Sequence, residues 1–598
     1  MNYFDFGVPA INEAGQIAFR ARLTGLGVDG TNHIGIWSEA AGVVGAPGLI
    51  ARKGDPAPGT VPGVIYRDFG FPRLSASGQT AFFATLSGNG VSGFNNEGIW
   101  SEAAGDAGAL GLIARAGDGA PDTAPGVYYD DFDNPLLNGA GQTAFFAKLF
   151  ISPEVSRTND GGIWSEAAGT VGAPSLIARE GDPAPGTAPG VIYGPLGTPA
   201  FNEAGQTAFH ALLAGRNVGI GNGSIWSEVA GTVGAPGLVA HEGDAAPGTE
   251  PGVIYEFLST TPVLNGAGQT AFGARIAGPG VDDTNNRGIW SEAAGAIGAP
   301  GLVVRSGEPA PGTSSDVKFS GFGGPMLNGT GQTAFIGFLT GPGVDTTNDH
   351  GIWSEAAGAI GAPGLVARKD DPALGTAPGV NYLGFFTDPV LNGAGQIAFR
   401  AFLTGPGVDD TNDFGLWAAD PTSGGESLAL IIREGDLFDV SDDPTNPDLR
   451  TVATFNVFTN TGNGDGRPSP LNDAGQIAFQ ASFTDGSRGV FVATIPDPAS
   501  IALVGDYNGD GSVSQIDLDL VLLNWSNNIA PAGFVEANLP DGGPFDGLIS
   551  QNELDGVLLN WGDGVPPFPG SVAVPEPGVG IWLAAGCLGM SRRRGSAR

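Results

Sequence analysis

The chain has 598 residues with 62 acids against 26 bases, and its formal net charge of -36 disfavours nucleic acid, because phosphate binding needs clustered Lys and Arg. A single cysteine, Cys587, rules out an intrachain disulfide framework, and four His with three Met leave little for transition-metal chemistry. Glycine is abundant, at 102 residues without a triplet period, yet Phe, Trp, Ile, Leu and Val recur at fixed spacing, so the chain reads as folded and turn-rich.

The amino terminus opens MNYFDFGV, with neither a basic n-region nor an apolar h-region. From there a repeat runs through most of the chain. The phrase NxxGQ begins at Asn12, Asn138, Asn202, Asn265, Asn328, Asn392 and Asn472, with Ser75 in the second copy; steps are 63 or 64 until the last, which is 80. A second marker, GIW or a variant, places Trp37, Trp100, Trp164, Trp226, Trp290, Trp353 and Trp417, then Phe491. The third marker, ARxGDxAPG, is clearest at 51, 114 and 178.

Within one period the predicted elements keep a steady order. VIYRDFGFPRL (64–74), QTAFFATL (79–86), GIWSEAA (98–104) and LGLIARAGD (110–118) are apolar runs separated by Gly, Pro, Asn and Asp clusters. Four short strands per unit in about eight units predict an all-β fold, an eight-bladed β-propeller over 1–497. A β-solenoid is the alternative, and no helical period runs through any unit. The eighth unit stops at GVFVATIPD before a fourth strand, so its blade is expected to be incomplete. The missing strand and the missing leader together predict an upstream extension resembling LIARxGD behind a signal peptide. A chain that begins at Met1 is expected to close its ring loosely.

Asn and Gly in NxxGQ suit a tight turn, since Asn caps its own backbone and Gly supplies positive φ. A catalytic group is needed once per site and a turn once per blade, so the phrase reads as a joint. The acidic loops before GIW, VDGTN (28–32) and VDDTN (281–285) among them, read as Asx turns, since none offers six oxygens to calcium. His33, His210, His241 and His350 are scattered and read as surface or packing residues. The Ser-Glu after each Trp reads as a paired strand end, and no catalytic set assembles.

Asn138, Gly141, Ala144 and Phe145 match an NxxGxxAF signature, and the block over roughly 1–495 resembles the exported bacterial tandem-repeat proteins defined by it. That resemblance implies export and little chemistry.

After Pro496 the text changes. GDYNGDGSVSQIDLDLVLLNW (505–525) places Asp506, Asn508, Asp510, Ser514 and Asp517 at loop positions 1, 3, 5, 9 and 12, with Gly511 at 6 and the Ser512 carbonyl at 7. That is the spacing of a 12-residue calcium loop, with Asp for Glu at the last position. DGLISQNELDGVLLNWG (546–562) repeats it at an offset of 36, aligning Asp546, Leu548, Ser550 and Glu553, while positions 1 and 3 lack Asp or Asn. The second loop is therefore the weaker. Leu518, Val521, Leu522 and Trp525 share a helical face, as do Leu554, Val557, Leu558 and Trp561. The pair (504–564) resembles a type I dockerin. The resemblance implies a cohesin-like partner facing Gln515, Ile516, Gln551 and Asn552, which depart from that family's common Ser-Thr pair.

The tail (574–598) holds Pro575, Glu576 and Pro577, thirteen mostly apolar residues (578–590) and three arginines. As a helix the apolar run spans about 20 Å, short of a bilayer core. It resembles a PEP-CTERM sorting signal, which implies an exosortase as processing enzyme, transient anchoring through this hydrophobic helix, and delivery to the cell surface or matrix. The parts together point to a scaffold or adhesion protein that binds proteins or glycans, with calcium as its cofactor. The rival is a glycan-active enzyme carrying a dockerin, which calls for blade-specific polar residues converging on the axis.

Overall fold

The computed structural model describes residues 2–495, apart from 104–108, 216–217, 219–221, 260, 422–427, 442–445, 459–466 and 468, together with Val521 and Val572–Ala573. The calcium loops, the dockerin-like partner positions and the sorting motif lie outside the described residues; Val521 is helical and buried.

Each unit folds as predicted into consecutive antiparallel strands, and eight such sheets form an eight-bladed β-propeller. In unit 2 the first strand splits into Val64–Phe69 and Arg73–Leu74, both pairing with Thr80–Gly88, which pairs with Glu97–Ser101 and then Gly111–Arg115. The split follows from Pro72, which has no N–H to give to the ladder; Pro9, Pro135, Pro199, Pro262, Pro325, Pro389 and Pro470 stand in the same place. The short halves after these prolines neighbour one another around the axis.

Alternation along the second and third strands sends large side chains to opposite faces, so the core lies between blades rather than within them. Ile34, Ile36, Ala51 and Ala57 of unit 1 pack with Tyr66, Phe69, Phe82 and Trp100 of unit 2. In that cluster Tyr66 meets Trp100 edge-on at 5.1 Å and Phe82 stacks on it at 6.4 Å. Such an edge contact contributes about 0.5–1.5 kcal/mol beyond burial.

The ring closes by the same packing, which corrects the expectation of a loose closure. Tyr3, Phe19 and Trp37 of unit 1 share a core with Ala478, Val490 and Val492 of unit 8. Ile11 N donates to Ser469 O at 3.0 Å, and Arg488 meets Asp5 at 2.5 Å. Unit 1 carries its own strands from Asn2–Phe6 to Ala46–Arg52. The outer position of the eighth sheet is held by Val572–Ala573, antiparallel to Arg488–Thr494.

Candidate functional site: the axial ring

The repeated phrase builds the axis. In unit 1 the Asn12 side-chain oxygen accepts from Ala14 N at 3.1 Å and Gln16 N at 2.9 Å, while Gly15 takes φ 74°. The turn reading therefore stands, and the same asparagine does more. Its Nδ2 donates to Ser75 O of unit 2 at 3.0 Å. Asn202, Asn265, Asn328 and Asn392 repeat that link to the next unit, and Asn472 returns it to Asn12 O at 3.0 Å. Ser75 is too short for this, and Arg73 Nε to Pro135 O at 2.8 Å bridges units 2 and 3 instead.

Two further repeated groups are structural. Glu166 accepts Thr143 N at 2.7 Å and Oγ1 at 2.6 Å with one oxygen and Gly172 N with the other, stapling strand start to hairpin. Burial raises its pKa, as it raises those of Glu228, Glu292 and Glu355 at the same place. Trp100 Nε1 donates to Pro58 O at 3.0 Å, so the ARxGDxAPG loop caps the tryptophan of the next unit; Trp164, Trp290, Trp353 and Trp417 do likewise. The acidic loops are Asx turns, with Asp282 Oδ1 accepting from Thr284 N and Oγ1; that hydroxyl bond holds its carboxyl below the usual range. The histidines do not form a common site: His210 is buried, where desolvation lowers its pKa, and His350 meets Asp349 at 2.8 Å. Among the described residues no cluster of His, Cys, Asp and Glu can hold a metal.

A cavity of about 280 Å³ lies on the axis and is lined by residues from all eight units. The second letter of the phrase lines it in seven units, as Glu13, Ala76, Glu203, Gly266, Gly329, Gly393 and Asp473, with Gly139 at that place in unit 3, and this letter breaks the symmetry. Reading the phrase for constancy misses these three acids, although its second letter is the one that varies most and is the available signal. Each reaches a backbone amide of a neighbouring unit: Glu203 accepts Gly139 N at 2.5 Å, Asp473 accepts Gly393 N at 2.6 Å, and Glu13 accepts Asp473 N at 2.9 Å. Burial raises the pKa of Glu13 and Glu203, and the Asp473 and Glu203 charges push Glu13 further the same way.

Residues 1–119, 103–307 and 294–502 match the family described as "Family of unknown function (DUF7453)". The chain belongs to this family. No curated protein matches this DUF7453 chain in sequence. Among solved structures it is similar to a prolyl endopeptidase, at 11% identity and TM-score 0.36, covering 82% of this chain and 54% of that one. It thus spans about half the length of that peptidase. The β-propeller domain of the Trilobed protease from Pyrococcus furiosus matches at 9% identity and TM-score 0.32, over 72% of this chain and 99% of that one. A Trypanosoma rangeli sialidase matches at 10% and 0.24, over 71% and 56%. Scores this low carry no chemistry to the DUF7453 chain.

Proposed function

We propose that this chain is an exported scaffold or adhesion protein of the cell surface or matrix, binding proteins or glycans through its propeller and calcium through its dockerin-like module. The observation that carries the scaffold reading is the commitment of the axial acids. Glu13, Glu203 and Asp473 each accept a backbone N–H from another unit, so these three blade-specific acids on the axis join blades. The other repeated polar residues are turn, staple and cap. The calcium reading rests on the sequence of the first loop, Asp506 to Asp517, with the second loop weaker; the sorting tail and a cohesin-like partner rest on sequence in the same way.

A glycan-array screen of the full chain, with calcium calorimetry beside it, tests both halves. Asp506→Ala with Asp510→Ala should abolish high-affinity calcium binding; unchanged stoichiometry and affinity would overturn the ligand assignment. The raised pKa values of Glu13 and Glu203 favour a second reading, a glycan-cleaving enzyme with an axial acid. Glycan turnover that disappears in Glu203→Gln while the fold is kept would establish that reading over the first.

A further inference from the structure

The second strands of units 1 and 7 carry an arginine at the same register position, Arg20 opposite Ile36 and Arg400 opposite Leu416. Each side chain enters the interface with the following unit. Arg20 finds an acid there, its Nη2 lying 2.7 Å from Asp68 Oδ1. Arg400 finds an amide. Its Nη1 meets Asn456 Oδ1 at 3.3 Å, an oxygen that already accepts Val457 N at 3.0 Å. Arg400 is only 8% exposed, its Nε is enclosed without a partner as that of Arg20 is, and, unlike Arg20, it pairs with no carboxylate among the described residues.

Aromatic rings surround the guanidinium instead. Its carbon lies 5.0 Å from the Phe386 ring centre and 5.9 Å from that of Phe414, which stacks on Phe455 at 5.2 Å. Cation–π contacts are worth about 0.5–2 kcal/mol, less than the several kcal/mol that desolvating an ion costs. Burial alone accordingly pulls the Arg400 pKa down. The unit 1 interface shows what the position accommodates: a carboxylate. Phe386, more than half exposed at 55%, leaves an apolar ring open to solvent beside the cation.

We propose that Arg400, Asn456 and Phe386 form a binding site for a carboxylate-bearing sugar, a uronic acid unit. The guanidinium takes the carboxylate, for which its planar donors are matched, and the Phe386 ring takes the apolar face of the pyranose. A sugar fits better than an acidic side chain because cation, amide and open aromatic ring sit side by side. The net charge of -36 repels any anion at long range, so the contact depends on short-range pairing with the guanidinium. The inference deepens the glycan-binding reading and rests on it.

Trigalacturonic acid and maltotriose, titrated into the full chain by calorimetry, test it. The acidic sugar is expected to bind at least about tenfold more tightly than the neutral one. Asn456→Asp is isosteric and supplies Arg400 with an internal acid, so it should raise the melting temperature while cutting affinity for the acidic sugar by about tenfold. That opposite movement separates a binding role from a merely structural one. Arg400→Gln should also lose binding, and Arg20→Gln should keep it. Undiminished binding by Asn456→Asp, equal binding of the two sugars, no binding of trigalacturonic acid, or binding of a glutamate-rich peptide in its place would each overturn the proposal. Neutral glycans bound on the array in any of those cases would leave the broader reading standing.

Discussion

Replacing Asn265 by Ala tests the axial ring at its most informative point. The side chain is fully buried and makes three hydrogen bonds: its oxygen accepts Gln269 N at 2.8 Å, and Nδ2 donates to Gln269 Oε1 and to Asn328 O, both at 2.9 Å. At about 1 kcal/mol each, their loss costs roughly 3 kcal/mol. The Asn328 carbonyl keeps its bond from Gly331 N at 3.0 Å, so no orphaned acceptor adds to that figure and the expected total stays at roughly 3 kcal/mol. The turn contains its own controls. Gly268 has φ +82°, and an added Cβ would lie 2.6 Å from Val229 Cγ2, so Gly268→Ala should also destabilise. Gly266 meets nothing within 4 Å and lacks a positive φ, so Gly266→Ala should be neutral. Urea unfolding of the full chain, followed by tryptophan fluorescence, reads all three. An Asn265→Ala variant within about 1 kcal/mol of wild type would refute the ring as a source of stability, as would a Gly266→Ala variant as damaged as Gly268→Ala.

The propeller should be more stable at mildly acid pH than at pH 8. Glu166, Glu228, Glu292 and Glu355 have folded pKa values above the ordinary 4.5, and Glu97 is pushed up to about 7 by burial and then by Asp131. The folded state therefore binds more protons than the unfolded one across that window, and stability falls as pH rises from 4.5 through about 7. Calorimetric melting that instead rises steadily from pH 5 to 8 would contradict the burial of these carboxylates. Trp290→Phe removes the 2.9 Å bond to Pro247 O and should cost about 1–3 kcal/mol, read by the same urea assay; no loss would show that the loop cap contributes nothing. Asp68→Ala should weaken the contact between units 1 and 2, and a double-mutant cycle with Arg20→Ala should give a coupling of about 1 kcal/mol or less, because Asp68 is half exposed.

The blade pattern was legible because it is local and repeated. Val64–Phe69 and Thr80–Gly88 alternate inward and outward, and turn residues bound them, so strand order follows from chain order. The prolines are legible too, and their effect is to split the first strand, Pro72 creating the short inner half Arg73–Leu74. The phrase NxxGQ reads as a turn because Asn12 and Gly15 act within five residues of one another. Its second role needs residue 75, and at the seam residue 472, brought to the same place by ring closure.

Sequence alone therefore determined what depends on near neighbours: the number of units, the strands in each, and the turns. Tertiary structure decided what depends on curvature. Closing eight twisted sheets around one axis is what brings Glu13 to Asp473 N across 460 residues. The same closure sets one arginine against an acid and its counterpart against an amide, Arg20 with Asp68 and Arg400 with Asn456. No periodicity could reveal that difference, because periodicity records what units share, and a binding site in a ring of repeats is made where they differ.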